Sequence, residues 1–371
     1  MADPIYIFAG GGTGGHLYPA LAVAEELAAI QPAARVVFAC SNRPIDRQVL
    51  EPLPYAFVPQ PVLPLPRRPG GWWAFARAYA ASALQARQMV RDLRPAAVLG
   101  LGGFAAGPVV CRAAREHVRA GLLNPDAVPG KANRMLARRV EAIFTQFELT
   151  TGHFPAAARG KVRPVGCPVR RAFALAGRDE AVSHFGLRSD RRTLLVNGGS
   201  LGAASINEAV GLLAGELAEL ADTWQVLHVT GPSKQAPAPA AARPGVHLLE
   251  YCHRMDLAYA AADLALSRAG AATTAELAAT GTPAVLVPYP YHADQQQRLN
   301  AAALAEAGAA VICDDAKDPA ANAERLRQVL LPILEDPARL TEMARAAAGL
   351  GSRNAAAVVA RWLIGEEGQA V

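Results

Sequence analysis

Ile5-Tyr6-Ile7-Phe8-Ala9-Gly10-Gly11-Gly12-Thr13-Gly14-Gly15-His16-Leu17-Tyr18-Pro19-Ala20 stands at the start of the chain, and its reading decides the fold. The apolar run at 5–9 predicts a short buried strand, the glycines a tight turn, and the residues from about 19 to 29 a helix. Glycine lets backbone approach a ligand closely and leaves N–H groups pointing outward; the helix that follows adds partial positive charge. The segment is not a dinucleotide fingerprint, because Ala39-Cys40-Ser41 stand where an acidic residue would end the next strand. Nor is it a Walker loop, since no Lys-Ser/Thr follows the glycines.

Outward from this stretch the same unit recurs. Residues 36–39 and 96–99 read as strands and 73–93 as a long amphipathic helix; Leu101-Gly102-Gly103-Phe104-Ala105-Ala106-Gly107-Pro108 closes the strand at 96–99 with a second glycine-rich turn. That turn either lines a cleft with the first or serves close packing. The pattern restarts with strands at 193–196, 224–229, 263–267 and 284–287, and a helix from 205 onward. Strands alternating with helices predict an α/β protein with parallel, doubly wound sheets. At 371 residues the chain exceeds one ordinary core, so two domains are expected, with a boundary near Pro164–Phe173 and a Pro/Ala-rich surface loop at 235–245.

Composition narrows the function classes. Hydrophobic residues make up 52% and charged residues 19%, which excludes a disordered chain. The first 175 residues hold 21 Lys+Arg against 10 Asp+Glu, while the remainder is acidic. A basic first half points to an anionic partner: a membrane surface, phosphates or nucleic acid. Without zinc-ligand spacing or an RNA-binding aromatic signature, nucleic acid ranks last. Residues 1–12 lack the basic and apolar regions of a signal peptide, the apolar run at 96–111 is too short and too interrupted to span a membrane, and five scattered cysteines contain no CxxC. Reduced thiols and a cytoplasmic location are expected.

Chemistry-bearing residues cluster at the strand ends. His16 closes the first turn, on the rim of a candidate phosphate or sugar site, where binding or proton transfer competes with a structural role. Asn197-Gly198-Gly199-Ser200-Leu201-Gly202-Ala203 repeats the glycine device, with Ser200 able to donate to a phosphate. Arg268-Ala269-Gly270-Ala271-Ala272-Thr273-Thr274-Ala275-Glu276 opens a helix after a strand, and its free N–H groups suit an anion. Glu276, read as lying in the first turn or so, either accepts hydrogen bonds from a vicinal diol such as a ribose or merely complements the helix dipole. His292-Ala293-Asp294-Gln295-Gln296-Gln297 offers amides suited to sugar hydroxyls. No Asp-x-Asp occurs, so a sugar-nucleotide diphosphate would need positive charge from helix N-termini and an arginine; Arg170, at the domain junction, is the best placed. Arg67, Arg68, Trp72, Trp73 and Phe75 combine basic and aromatic character at a helix start, which suits either an interfacial patch on an anionic leaflet or a partly buried aromatic cluster.

Taken in order, GGTGGHLYPALA, GLGGFAAGP, AVPGKANRMLA, GCPVR, GGSLGA, SRAGAATTAELAATGTPAVLVPYP and DQQQRLNA resemble the MurG family of glycosyltransferase family 28, over nearly the whole chain. The resemblance implies the GT-B fold, two Rossmann-like domains facing each other across a cleft. It implies an acceptor- and membrane-side domain at 1–166, completed by a C-terminal helix at 352–371, and a UDP-sugar domain at 167–351. The family transfers N-acetylglucosamine from UDP-GlcNAc, with inversion and no obligatory metal or other cofactor, to a polyprenyl-linked muramyl pentapeptide (lipid I), giving lipid II. Such an enzyme works at the cytoplasmic face of the membrane.

By motif match, Thr13, Gly14 and Gly15 would contact the donor with His16 beside the reacting sugar, and Arg170 and Ser200 would hold the diphosphate. Cys252 sits where the family's backbone meets uracil. Ala271, Ala272, Thr273, Thr274 and Ala275 would line the nucleotide, Glu276 would bind the ribose, and Gln296 and Gln297 would read the sugar hydroxyls. The family's His-Glu-Gln-Asn is here Leu123-Asn124-Pro125-Asp126, which puts Asp126 near the donor sugar and alters the acceptor side. Three alternatives stay open: a transferase with another lipid or small-molecule acceptor, a UDP-GlcNAc 2-epimerase, and a UDP-sugar-binding protein with weakened catalysis.

Overall fold

Thirteen strands and the helices between them are described by a computed structural model that covers residues 3–66, 68–199, 202–231, 245–351 and 354–366. Arg67, Ser200 and nearly all of the loop expected at 235–245 lie outside the described residues. The chain divides into two compact units, Met1–Arg170 with Arg353–Val371, and Arg171–Ser352. Cys167 to Arg170 therefore group with the first unit, and the C-terminal helix Ala355–Ile364 returns to it.

The strands of the first unit are β1 (Ile5–Gly10), β2 (Arg35–Ser41), β3 (Ala56–Gln60), β4 (Ala97–Gly102), β5 (Arg119–Asn124), β6 (Ala142–Thr145) and β7 (Val162–Pro164). They form one parallel sheet in the order β3-β2-β1-β4-β5-β6-β7. Side chains alternate between its faces. Tyr6, Phe8, Leu99 and Phe144 pack on one side with the helices Gly14–Ile30 and Ala355–Ile364. Ile7, Val98, Leu122 and Ile143 pack on the other with Trp72–Leu93 and Ala106–Arg115. Both faces are covered, as parallel sheets require, so the central strands are apolar throughout instead of alternating with polar residues.

The returning helix is fixed by Trp362. A Cβ on Gly121 of β5 would lie 2.8 Å from its ring. Phe144 meets the same ring edge-on at 5.4 Å, the Arg119 guanidinium lies 5.1 Å from its centroid, and Arg119 Nη1 donates to the Trp362 carbonyl at 2.6 Å. Glycine in mid-strand is here a seat for an indole.

The second unit carries β8 (Arg192–Asn197), β9 (Trp224–Val229), β10 (Val246–Leu249), β11 (Leu264–Ser267), β12 (Ala284–Leu286) and β13 (Ala310–Ile312), parallel and in the order β10-β9-β8-β11-β12-β13. Leu194, Val196, Leu264, Leu266 and Val285 form its central core with the helices Ala204–Leu212 and Pro319–Leu334. The five cysteines are free thiols, and burial pushes Cys40 up to about 12 and Cys252 and Cys313 up to about 11. None of these three is poised as a thiolate near neutrality.

His228 on β9 is buried with Nε2 2.9 Å from Asn207 Oδ1, and the Asn207 amide donates to the Thr230 carbonyl at 2.9 Å. Desolvation lowers the imidazole to about 4. The unfolded ring titrates near 6.5, so the unfolded state binds the extra proton first and stability falls as pH drops from about 6.5 to about 4. The loss below that window should reach roughly 3 kcal/mol. Urea unfolding of the second unit across that range should show this slope, and His228→Gln, which keeps an N–H donor, should flatten it. An equal slope in the variant would assign the effect to other groups.

Candidate active site

In the first sheet the strand order reverses between β1 and β4, and in the second between β8 and β11. At such a reversal neighbouring connections leave the sheet in opposite directions, and an opening remains at the carboxyl ends of the strands. The described residues there are 10–13 after β1, 102–105 after β4, 197–199 and 202–203 after β8 and 268–270 after β11, all within the glycine-rich segments of the sequence.

In the first unit the two turns interlock through their backbones. A Cβ on Gly10 would lie 2.6 Å from the Gly102 carbonyl oxygen, and one on Gly103 would lie 2.7 Å from that of Gly11. Close packing, one of the two readings of the second turn, is thus satisfied, and the turn also borders the opening.

The fixture of the first turn is Asp46, a fully buried carboxylate in the helix Pro44–Leu50. Its Oδ1 accepts from Gly12 N at 2.7 Å, and its Oδ2 accepts from Ser41 N at 2.8 Å and Ser41 Oγ at 2.6 Å. Gly11 has φ +144°, and a Cβ there would lie 2.4 Å from Asp46 Oδ2. Arg43 Nη1 donates to the Gly12 carbonyl at 3.0 Å, and its guanidinium lies 5.2 Å from the Phe104 ring centroid, tying the first turn to the second.

The helix begins at Gly14, earlier than the expected residue 19, with Pro19 inside it. Thr13 and Gly15 are exposed, Gly14 is buried and His16 is half-buried. Thr13 Oγ1 lies 3.1 Å from His16 Nδ1. A Cβ on Gly102 would come within 3.2 Å of His16 Nε2 and 3.3 Å of Asn133 Nδ2, so imidazole and amide converge on the second turn. Asn133 Nδ2 donates to Asn124 Oδ1 at 3.0 Å, and Asn124 Nδ2 donates to the Asp126 carbonyl at 2.7 Å. Asn133 Oδ1 is buried with no hydrogen-bond partner among the described residues. Asp126 is half-buried just beyond β5. Sequence reasoning did not single out Asn133, which lies within AVPGKANRMLA; a polar residue on the inner side of a six-residue helix was the only signal. Arg170 is half-buried, its guanidinium 5.7 Å from the Tyr18 ring centroid.

In the second unit the helix Ala271–Thr280 starts at Gly270 and presents its first turn at the end of β11. Ala271, Thr274 and Ala275 are buried, whereas Ala272, Thr273 and Glu276 are partly exposed. Thr274 Oγ1 donates back to the Ala271 carbonyl at 3.0 Å. No acidic residue lies in the first turn; Glu276 is the sixth helical residue, which corrects the first-turn reading and removes the helix-dipole explanation for it. Burial, followed by the nearby Glu276 carboxylate, raises the Tyr259 hydroxyl well above its ordinary range, so Tyr259 stays protonated beside Glu276.

Cys252 is buried in the segment after β10, near the helix Met255–Ala261. The helix Gln296–Glu306 begins at Gln295, which takes a left-handed φ of +47°. Gln297 Oε1 accepts from Tyr289 N at 2.9 Å, which commits its carbonyl to the loop and leaves its NH2 to offer; Gln296 N approaches Asp294 Oδ1 at 3.3 Å. Arg268, quoted as part of its motif but given no role, proves to be buried at the centre of these loops. Among the described residues no group of three or more His, Cys, Asp or Glu is disposed to hold a metal ion.

At the start of the helix Trp72–Leu93, Trp72 and Trp73 are 53% and 78% exposed. Arg68 is exposed, while Phe75 is half-buried between Trp72 and Tyr79. The tryptophans are therefore surface groups and not a buried cluster. No helix among the described residues is long and apolar enough to cross a membrane.

Residues 6–145 match the model of the glycosyltransferase family 28 N-terminal domain, and 193–359 that of its C-terminal domain. The chain belongs to glycosyltransferase family 28. It is 41% identical to the UDP-N-acetylglucosamine–N-acetylmuramyl-(pentapeptide) pyrophosphoryl-undecaprenol N-acetylglucosamine transferase of Leifsonia xyli, covering 94% of this chain and 95% of that one. With the Streptomyces coelicolor enzyme of the same name it shares 37% identity, covering 94% of each. The crystal structure of Acinetobacter baumannii MurG superposes with a TM-score of 0.73 at 28% identity, covering 97% of this chain and 99% of that one. A Neisseria meningitidis UDP-GlcNAc 2-epimerase bound to UDP-GlcNAc shares the fold at 16% identity and a TM-score of 0.67.

In this family 28 chain, Asp46 is what holds the first turn. Asp46→Ala leaves two buried backbone amides, Gly12 N and Ser41 N, unpaired and should destabilise the first unit by roughly 2–5 kcal/mol. Gly11→Ala drives a methyl into the same carboxylate and should be at least as damaging. Thermal or urea unfolding measures both, and wild-type stability in Asp46→Ala would remove the carboxylate from this role.

Proposed function

We propose that this chain transfers N-acetylglucosamine from UDP-GlcNAc to undecaprenyl-diphospho-N-acetylmuramoyl-pentapeptide, forming lipid II for peptidoglycan. The observation that carries the reading is full-length identity of up to 41% with relatives bearing that enzyme's name, over two sheets that place glycine-rich turns at both strand reversals.

The reaction is a single displacement. The acceptor hydroxyl attacks C1 of the sugar, the bond from C1 to the diphosphate oxygen breaks, the configuration at C1 inverts, and UDP leaves with the electron pair. His16 is assigned the acceptor's proton. When His16 Nδ1–H donates to Thr13 Oγ1, Nε2 keeps its lone pair and can act as general base. Thr13, Gly14 and Gly15 supply hydroxyl and backbone contacts to the donor, and Asp126 is assigned to the region of the donor sugar.

The leaving diphosphate needs positive potential. We assign this to Arg170, to Ser200 and to the amides at the start of the helix Ala271–Thr280, where Ala271, Ala272, Thr273, Thr274 and Ala275 line the nucleotide. Glu276 accepts from the ribose hydroxyls, and its position beyond the first turn favours a ligand role over dipole compensation. The Cys252 backbone meets the uracil; its thiol, pushed up to about 11 by burial, takes no part. The Gln297 NH2 and the Gln296 amide read the sugar.

The membrane reading rests on exposed Trp72 and Trp73 beside Arg68, in a half of the chain with a basic excess. A polyprenyl-linked acceptor would be met at that surface, on the cytoplasmic face. With UDP-GlcNAc and a lipid I analogue in anionic vesicles, the protein should sediment with the vesicles and release lipid II and UDP. Formation of UDP-ManNAc would support an epimerase, turnover only with another acceptor would redirect the acceptor assignment, and binding without turnover would reduce the chain to a sugar-nucleotide binder. Equal sedimentation with neutral vesicles would overturn the electrostatic part of the membrane reading.

A further inference from the structure

The loops around the proposed donor site converge on a buried ion pair. The Arg268 side chain is 11% exposed and that of Asp315 1%, with Nη1 2.9 Å from Oδ2. Arg268 Nη1 also donates to the carbonyls of Val287 and Pro288 at 3.0 and 3.2 Å, and Nη2 donates to Ser205 Oγ at 2.7 Å. Ser205 Oγ in turn donates to Asp315 Oδ2 at 2.8 Å, closing a triangle. Asp315 Oδ1 accepts from Asn322 Nδ2 at 2.9 Å and Lys317 N at 2.8 Å. Lys317 is held at φ +63°, a left-handed conformation unusual for a residue with a side chain.

These contacts join four separate strand exits. Ser205 lies in the first turn of the helix Ala204–Leu212, the helix that follows β8. Arg268 itself leads from β11 into the helix Ala271–Thr280. Val287 and Pro288 begin the loop after β12, and Asp315 belongs to the loop after β13. The Arg268 guanidinium also lies 5.7 Å from the Tyr289 ring centroid, and Tyr289 N is the donor held by Gln297 Oε1. A path of contacts therefore runs from Asp315 to the start of the helix bearing Gln296 and Gln297.

A buried ion pair is weak as a stability device, because desolvation offsets most of its attraction and an apolar replacement of like size serves as well. What it supplies is direction. Arg268 spreads two nitrogens in one plane over the exits of three other strands, and Asp315 neutralises it and fixes the orientation of that plane. The helices Ala271–Thr280 and Gln296–Glu306 each carry part of the proposed donor contacts, so their mutual spacing sets donor affinity.

We propose that Asp315 is a positioning residue for UDP-GlcNAc recognition: acting through Arg268 and Ser205, it holds the start of the helix Ala204–Leu212 and the segments after β11 and β12 in the register that the donor requires. This rests on the donor assignment made above. Asp315 touches no part of the substrate.

The test uses the full chain and three variants, Asp315→Ala, Asp315→Asn and Ser205→Ala. UDP-GlcNAc binding is measured by calorimetry, and KM for donor and acceptor by steady-state kinetics, each beside a melting curve. Asp315→Ala should weaken UDP-GlcNAc binding and raise the donor KM by about tenfold or more, with the acceptor KM unchanged. Asp315→Asn keeps the shape and several hydrogen bonds and should recover part of that loss. Ser205→Ala, which spares the ion pair, should weaken donor binding by roughly two- to fivefold. If Asp315→Ala does not fold, the other two variants carry the test. Donor affinity within error of the parent in the folded variants would overturn the proposal, as would a lowered melting temperature with the donor KM unmoved. A parent protein that does not bind UDP-GlcNAc would instead overturn the donor assignment, and this inference with it.

Discussion

Reversal of strand order in a parallel sheet is the constraint on which the remaining structure depends. Where β1 meets β4, and again where β8 meets β11, helices depart to opposite faces and the carboxyl ends of two strands stay uncovered. Backbone has to turn sharply there without filling the opening. Glycine meets that demand: at Gly10, Gly11 and Gly103 the added Cβ would strike backbone or the Asp46 carboxylate at 2.4 to 2.7 Å. Peptide N–H groups are then exposed there in place of side chains.

The two units stabilise these exposed turns differently. In the first, a single buried carboxylate collects three hydrogen bonds and pins the turn after β1 to the end of β2. In the second, a buried arginine and aspartate bridge the exits of four strands. The first arrangement fixes one turn beside His16 and leaves the imidazole partly open. The second fixes several strand exits against one another. Each is a polar device inside an apolar shell, where a missing partner costs far more than a surface hydrogen bond contributes.

Strand ends and turns were legible because glycine, asparagine and histidine cluster there against apolar runs. β1 and β2 declared themselves by continuous apolar or β-branched residues. Strands without that signature escaped notice. β5 contains Gly121, whose lack of a side chain seats Trp362, a residue more than two hundred positions away. Edge strand β3 carries Pro59, β7 ends at Pro164, and β13 has only three residues. The helix starts at Gly14 despite glycine and proline because the Asp46-fixed turn delivers the chain in helical direction, a tertiary effect with no local marker. Most site residues within motifs were visible, whereas Asp46 and Asp315, outside any motif, and Asn133, within one, were not, since each acts on a partner distant in sequence. Arg268 was visible only as a letter in a motif; its three loop contacts are a property of the folded unit.

The central claim is that uridine nucleotide binds at the carboxyl ends of the second sheet, against the turn after β11 and the loop after β12. Hydrogen–deuterium exchange of the full chain with and without UDP-GlcNAc tests it most directly. The account predicts slowed exchange in residues 268–276 and 288–297, with the amino ends of β8 to β13 unchanged. Protection confined to those amino ends, or none in either segment at saturating UDP-GlcNAc, would contradict it.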